Sequence, residues 1–105
     1  KRKNMGLVAS NLADKIYVTD DNPRNEDPAS IRREIIRYCP NAEEVSDRAE
    51  AIFKAIEKSG LGDTVIIAGK GHERSQIEGN QNFPFDDYEQ ASIAIESIRN
   101  LKVLK

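Results

Sequence analysis

Two short segments carry the residues best able to do chemistry: Asp20-Asp21-Asn22-Pro23-Arg24 and Gly69-Lys70-Gly71-His72-Glu73. Arg24 offers a planar fork that can hold a carboxylate through two parallel hydrogen bonds, and Asn22 can both donate and accept. Glu73 and Asp21 are anionic acceptors suited to an ammonium group. Gly69 and Gly71 let a ligand come close to the backbone. Together these types suit a zwitterion whose cation and anion lie a few ångströms apart. A plainer reading is also open: Asp-Asn-Pro is a common turn whose Asx side chains bond nearby backbone, leaving Arg24 solvated. Gly-Lys-Gly can likewise be a tight strand exit. It is no P-loop, because the glycine five residues before Gly69 and the Ser/Thr after Lys70 are both absent. His72, the single histidine, fits an ordinary structural hydrogen-bonding role.

The elements that must position these loops follow from apolar spacing. Met5, Val8, Ala9 and Leu12 recur at helical intervals, and Ile16-Tyr17-Val18 reads as a strand. After a loop from Thr19 to Asp27, Asp27-Pro28 supplies an N-cap and a first-turn proline. Ile31, Ile35, Tyr38 and Cys39 mark the buried face of a second helix. A short strand is expected near Glu44-Val45. Asp47 with Glu50 caps a third helix with the stripe Ala49, Ile52, Phe53 and Ile56, ending at Gly60. The unbroken run Thr64-Val65-Ile66-Ile67-Ala68 reads as a central strand covered on both faces. Gln76–Glu78 and Asn82–Phe85 flank a Gly79-Asn80 turn signal, suggesting a hairpin or two irregular strands at an edge, where Pro84 is tolerated. Asp86 and Glu89 open a last helix with the stripe Ala91, Ala94, Ile95, Ile98 and Leu101. The alternation predicts one α/β domain over residues 1–105, Rossmann-like, with a mostly parallel sheet and helices on both faces. In such sheets ligands bind beyond the carboxyl ends of the strands, where both loops fall.

Composition excludes several classes of function. The 105 residues are 38% hydrophobic and 32% charged, as expected of one globular core, and the net charge of −2 gives no positive field to attract nucleic acid. The basic cluster Lys1-Arg2-Lys3 reads as solvated surface. No apolar run approaches the roughly 20 residues of a membrane span, so a soluble, cytoplasmic protein without membrane or nucleic-acid partners is expected. Cys39, the only cysteine, reads as a small buried hydrophobe. No metal site and no catalytic acid or base stands out.

Read together, Val18-Thr19-Asp20-Asp21-Asn22-Pro23-Arg24, Glu26-Asp27-Pro28 and Ala68-Gly69-Lys70-Gly71-His72-Glu73 resemble the C-terminal domain of the MurE-type Mur ligases. Ala49-Glu50-Ala51 and Phe85-Asp86-Asp87 extend the likeness over nearly the whole chain. The resemblance implies an ATP-dependent ligase that adds meso-diaminopimelate to UDP-MurNAc-L-Ala-D-Glu in peptidoglycan biosynthesis, with magnesium assisting. It also implies site roles. Asn22 and Arg24 hold the distal carboxylate of diaminopimelate, while Asp21, Glu73 and the Gly69 backbone position its distal amino group. Lys70 and His72 either approach the ATP or acyl-phosphate region or only shape the loop.

The family pattern further implies an N-terminal uridine-nucleotide domain, a central P-loop domain, and a first strand with a Gly-Gly-Asp-Arg-Asp loop, all upstream of Lys1. The isolated chain is then expected to be catalytically inactive, to bind neither ATP nor Mg alone, and to be destabilised or self-associated at exposed strand edges. The alternatives are a stand-alone module for a small zwitterionic or phosphorylated ligand, or a non-functional fragment.

Overall fold

A computed structural model describes residues 2–70 and 72–104. The order is α1 (Arg2–Leu12), β1 (Tyr17–Val18), α2 (Pro28–Ile36), β2 (Glu43–Glu44), α3 (Arg48–Lys58), β3 (Ser75–Glu78), β4 (Gln81–Pro84) and α4 (Asp87–Leu104). It is an α/β arrangement. β1, α2 and β2 form a βαβ unit in which β1 and β2 pair in parallel, Tyr17 opposite Glu43 and Val18 opposite Glu44. The pairing continues past the strand ends, since Glu43 N–H donates to the Ile16 carbonyl at 2.9 Å and Asp20 N–H to the Ser46 carbonyl at 3.3 Å.

The helices start where local chemistry starts them. Asp47 accepts the Glu50 N–H at 3.1 Å, and Asp86 accepts the N–H groups of Tyr88 and Glu89 at 2.9 and 3.4 Å. These bonds satisfy amides that have no partner inside the helix. Asp27 precedes Pro28 in extended conformation but makes no side-chain cap bond. α3 packs on α4 and on β1, and Val18, Val45, Ala51, Ile52 and Ala94 form a small core with Cys39. Burial pushes the Cys39 thiol up from its ordinary value, consistent with a packing role.

β3 and β4 pair antiparallel with Glu78 opposite Gln81, which leaves Gly79-Asn80 as a two-residue turn. Gly79 has φ 59°, a left-handed conformation that favours glycine. Pro84 sits in β4 opposite Ser75, where a missing N–H is tolerated at an edge.

Several expectations fail for identifiable reasons. Thr64–Ala68 is not a strand, and Ile66 is 83% exposed. An apolar run becomes a ladder only beside a neighbouring strand, and among the described residues none pairs with it. The described strands form a parallel β1–β2 pair and an antiparallel β3–β4 pair within the α/β fold. In α1 the stripe faces outward: Met5, Val8 and Leu12 are exposed, and Gly6 is the buried residue. A Cβ at Gly6 would stand 2.8 Å from the Ile35 carbonyl oxygen and 2.9 Å from Tyr38 Cβ. The bare backbone of Gly6 therefore sets the contact with α2. In α4, Ile95 and Leu101 also face solvent, while Ala94 is buried. Gly60 is not the left-handed residue after α3, since the extended Ser59 caps it and Gly62 takes φ 89°. Arg2 is no solvated bystander: its two terminal nitrogens hold Glu26 at 2.7 and 3.0 Å. Lys1 lies outside the described residues.

Candidate functional site

Both loops meet at the carboxyl end of β1, held there by Arg48. From the first turn of α3 its guanidinium donates to the carbonyls of Asp20 at 3.3 Å and Ala68 at 3.2 Å. It also grips the Asp87 carboxylate of α4 through two bonds of 2.8 and 2.7 Å. Arg48 is only 5% exposed, so this buried fork joins the exits of β1 and the Thr64–Ala68 segment to the starts of two helices.

The Asp20–Arg24 loop has an unusual backbone. Asn22 and Arg24 adopt φ 36° and 57°, left-handed values that cost non-glycine residues on the order of 1 kcal/mol each. Three contacts to the hairpin offset that cost. Arg24 N–H donates to the Ile77 carbonyl at 3.0 Å, the Arg24 carbonyl accepts the Gly79 N–H, and Asn22 Oδ1 accepts the Ile77 N–H at 2.8 Å. Arg24 and Glu78 form a parallel bridge. Asp20 is engaged on the other side, where Arg32 of α2 binds it and also reaches Glu44 at 2.7 Å. Those two acceptors, Glu44 foremost, raise the Arg32 pKa above its ordinary value.

Asn22 is the junction of the two loops. Its Nδ2 donates to Glu73 Oε1 at 3.0 Å, and its Oδ1 receives Lys70 Nζ at 3.2 Å. The Lys70 side chain is wholly buried. Its ammonium lies 3.0 Å from Asp21 Oδ1, donates to the Ser75 carbonyl at 2.9 Å, and stands 5.6 Å from the centre of the Phe85 ring. The Asp21 contact is an ion pair without hydrogen-bond alignment, since that oxygen has no directed partner. Gly69 completes the packing at φ 118°, where a Cβ would meet Asp21 Oδ2 at 2.7 Å.

The structure thus brings Asp21, Asn22, Gly69, Lys70 and Glu73 together, with Arg24 two residues from Asn22 in the same loop. The Arg24 side chain is exposed and bonds no described residue. His72 is exposed and takes no part in the network among the described residues, and Gly71 lies outside them. Asp21, expected as an acceptor for a ligand ammonium, faces Lys70 through Oδ1, and its side chain is 29% exposed. Beside the network opens a crevice of about 380 Å³, bordered by Asp20, Arg48, Gln76, Glu78, Phe83 and Phe85. Among the described residues no three His, Cys, Asp or Glu side chains converge.

Lys70 and Arg48 were the residues whose roles sequence reasoning did not find. Arg48 did leave a signal. A cation in the first turn of a helix opposes the helix dipole, which hints at a tertiary partner strong enough to override it.

Residues 1–71 match the family described as Mur ligase, glutamate ligase domain. The chain belongs to the Mur ligase family. This Mur ligase domain is 52% identical over 99 residues to the UDP-N-acetylmuramoyl-L-alanyl-D-glutamate–2,6-diaminopimelate ligase of Zymomonas mobilis subsp. mobilis, covering 90% of the chain and 20% of that protein. It is 48% identical over 103 residues to the protein of the same name from Agrobacterium fabrum, covering 98% of the chain and 21% of the relative. A solved structure with that ligase's title superposes with a TM-score of 0.84 at 37% identity, over 92% of the chain and 21% of that chain. The chain spans about one fifth of the length of the curated relatives it matches. No helix among the described residues is long and apolar enough to cross a membrane.

Proposed function

We propose that this Mur ligase domain recognises meso-diaminopimelate within a cytoplasmic, ATP-dependent ligase that joins it to UDP-MurNAc-L-Ala-D-Glu during peptidoglycan synthesis. The observation that supports this most is the Asn22 junction, which sets one amide between the Glu73 carboxylate and the loop bearing Arg24. In this reading Arg24 and Asn22 take the distal carboxylate. Glu73 and the Gly69 backbone take the distal ammonium, and Asp21 acts through Lys70. His72 lies beyond these contacts.

The chemistry assigned to the ligase as a whole begins with transfer of the ATP γ-phosphoryl group to the D-glutamate carboxylate, releasing ADP. The neutral amine of diaminopimelate then attacks the acyl phosphate carbonyl. The C–N bond forms, phosphate leaves with the electron pair of the broken C–O bond, and the amine proton passes to solvent. ATP, magnesium and the uridine-nucleotide substrate belong to parts of the ligase outside these residues. This domain contributes by positioning the nucleophile.

Lysine lacks the distal carboxylate, and a site built around Arg24 discriminates by leaving that guanidinium without its partner. Truncating one member of a bound charge pair costs on the order of 2 kcal/mol at the lower end of the range, appropriate because Arg24 is exposed, or roughly 30-fold in kcat/KM. Arg24→Ala in the complete ligase is expected to lower kcat/KM for diaminopimelate by about that factor. KM for ATP and for the UDP-sugar should stay within about threefold. Equal losses for all three substrates would remove the support for this assignment.

A further inference from the structure

We propose that Lys70 is a positioning and specificity-determining residue: its buried ammonium fixes the Asn22 amide and cancels the Asp21 charge, so that Glu73 and Arg24 remain as the matched pair facing a ligand. The inference rests on the reading of the site as a diaminopimelate site and deepens it.

The geometry supports two separate effects. The first is orientation. An asparagine amide can present either its oxygen or its nitrogen, and only the surrounding network decides which. Asn22 Oδ1 receives two donors, Lys70 Nζ at 3.2 Å and Ile77 N–H at 2.8 Å. Its Nδ2 is thereby turned toward Glu73. One Nδ2 hydrogen is spent on Glu73, and the other stays available for a ligand carboxylate.

The second effect is charge. Asp21 Oδ1 is buried and has no directed hydrogen bond among the described residues, so Lys70, 3.0 Å away, is the cation that balances it. Without that ammonium the loop would carry Asp21 and Glu73 as two anions against Arg24. A ligand end bearing both ammonium and carboxylate would then be repelled through its carboxylate, whereas an ammonium alone would not. Lys70 thus acts on selectivity without touching the ligand. With its side chain wholly buried, and with Ser75 and Phe85 closing over the ammonium, it has no route to contact a substrate.

The test uses the complete ligase carrying this domain, with meso-diaminopimelate and L-lysine as competing amino-acid substrates. Lys70→Met should narrow the ratio of their kcat/KM values at least tenfold and leave KM for ATP unchanged. Adding Asp21→Asn to Lys70→Met removes the stranded anion with an isosteric group and should recover most of the lost ratio. A merely structural lysine would lower both substrates together and would not be rescued by Asp21→Asn. An unchanged ratio in Lys70→Met, or a double variant no more selective than the single one, overturns the proposal. If Lys70→Met does not fold, the double variant decides alone: selectivity near wild type supports the charge balance, and its loss refutes it. A wild-type ligase that fails to prefer diaminopimelate over lysine overturns the functional reading itself, and this proposal with it.

Discussion

At the scale of single residues, Gly69 illustrates how tightly the site is built. Its φ of 118° lies where side chains are strained, and a Cβ there would press on Asp21 Oδ2. Asp21 cannot swing aside without leaving Lys70. Gly62 provides the control, since its φ is 89° but nothing stands within 4 Å of an added Cβ. Gly62→Ala carries only the backbone penalty, about 1 kcal/mol, whereas Gly69→Ala adds the contact and should cost about 2–4 kcal/mol. Urea unfolding of the two variants checks this, and equal midpoints would show that the Asp21 contact has no weight. Residue types singled out the two loops that the structure brings together at Asn22. The same types could not reveal that Asp21 forms an ion pair within the protein, because its partner Lys70 is 49 positions away and the ammonium's burial depends on Ser75 and Phe85.

Between elements, exposed ion pairs do much of the joining. Arg2 ties α1 to the loop before α2 through Glu26, and Lys54 ties α3 to β2 through Glu43. Hydrogen bonds from Arg2 and from Lys54 respectively are the main reason that the Glu26 and Glu43 pKa values lie below the ordinary 4.5. A carboxylate depressed in the folded state contributes stability that is complete above its unfolded value and is lost as pH falls through the lower folded value. Melting temperature should therefore hold steady down to about pH 5 and then decline, with a shallower decline in Glu26→Gln/Glu43→Gln. Because Glu26 is exposed and Glu43 only half-buried, high salt should shrink the difference between the two proteins. An acid limb identical in wild type and double variant at low salt would contradict this account. The element boundaries most legible in sequence were the local ones: the Asp47 and Asp86 caps and the Gly79-Asn80 turn act within a few residues of where they are written. The faces of α1 and the pairing of Thr64–Ala68 depend on distant partners, and spacing alone misassigned both.

For the molecule as a whole, the Thr64–Ala68 segment, which pairs with no strand among the described residues, turns Ile66 to solvent near the exposed Leu61. An open extended edge with apolar side chains is a template for association. This 105-residue chain should self-associate with rising concentration, and Ile66→Lys should suppress that while leaving the melting temperature of the dilute protein within a few degrees. Sedimentation velocity across a concentration series is the direct measurement. A wild-type chain that stays monomeric throughout would mean the edge is protected.

The bridge between Arg24 and Glu78 has a mechanical corollary. Because the amides of Arg24 and Gly79 and the carbonyls of Ile77 and Arg24 interlock, the guanidinium rides on the hairpin as on a sprung bracket, and these amides share one opening event in exchange with heavy water. On the reading proposed for Arg24, slackening the Gly79-Asn80 bend would loosen the grip on a ligand from a distance, altering no atom that touches it.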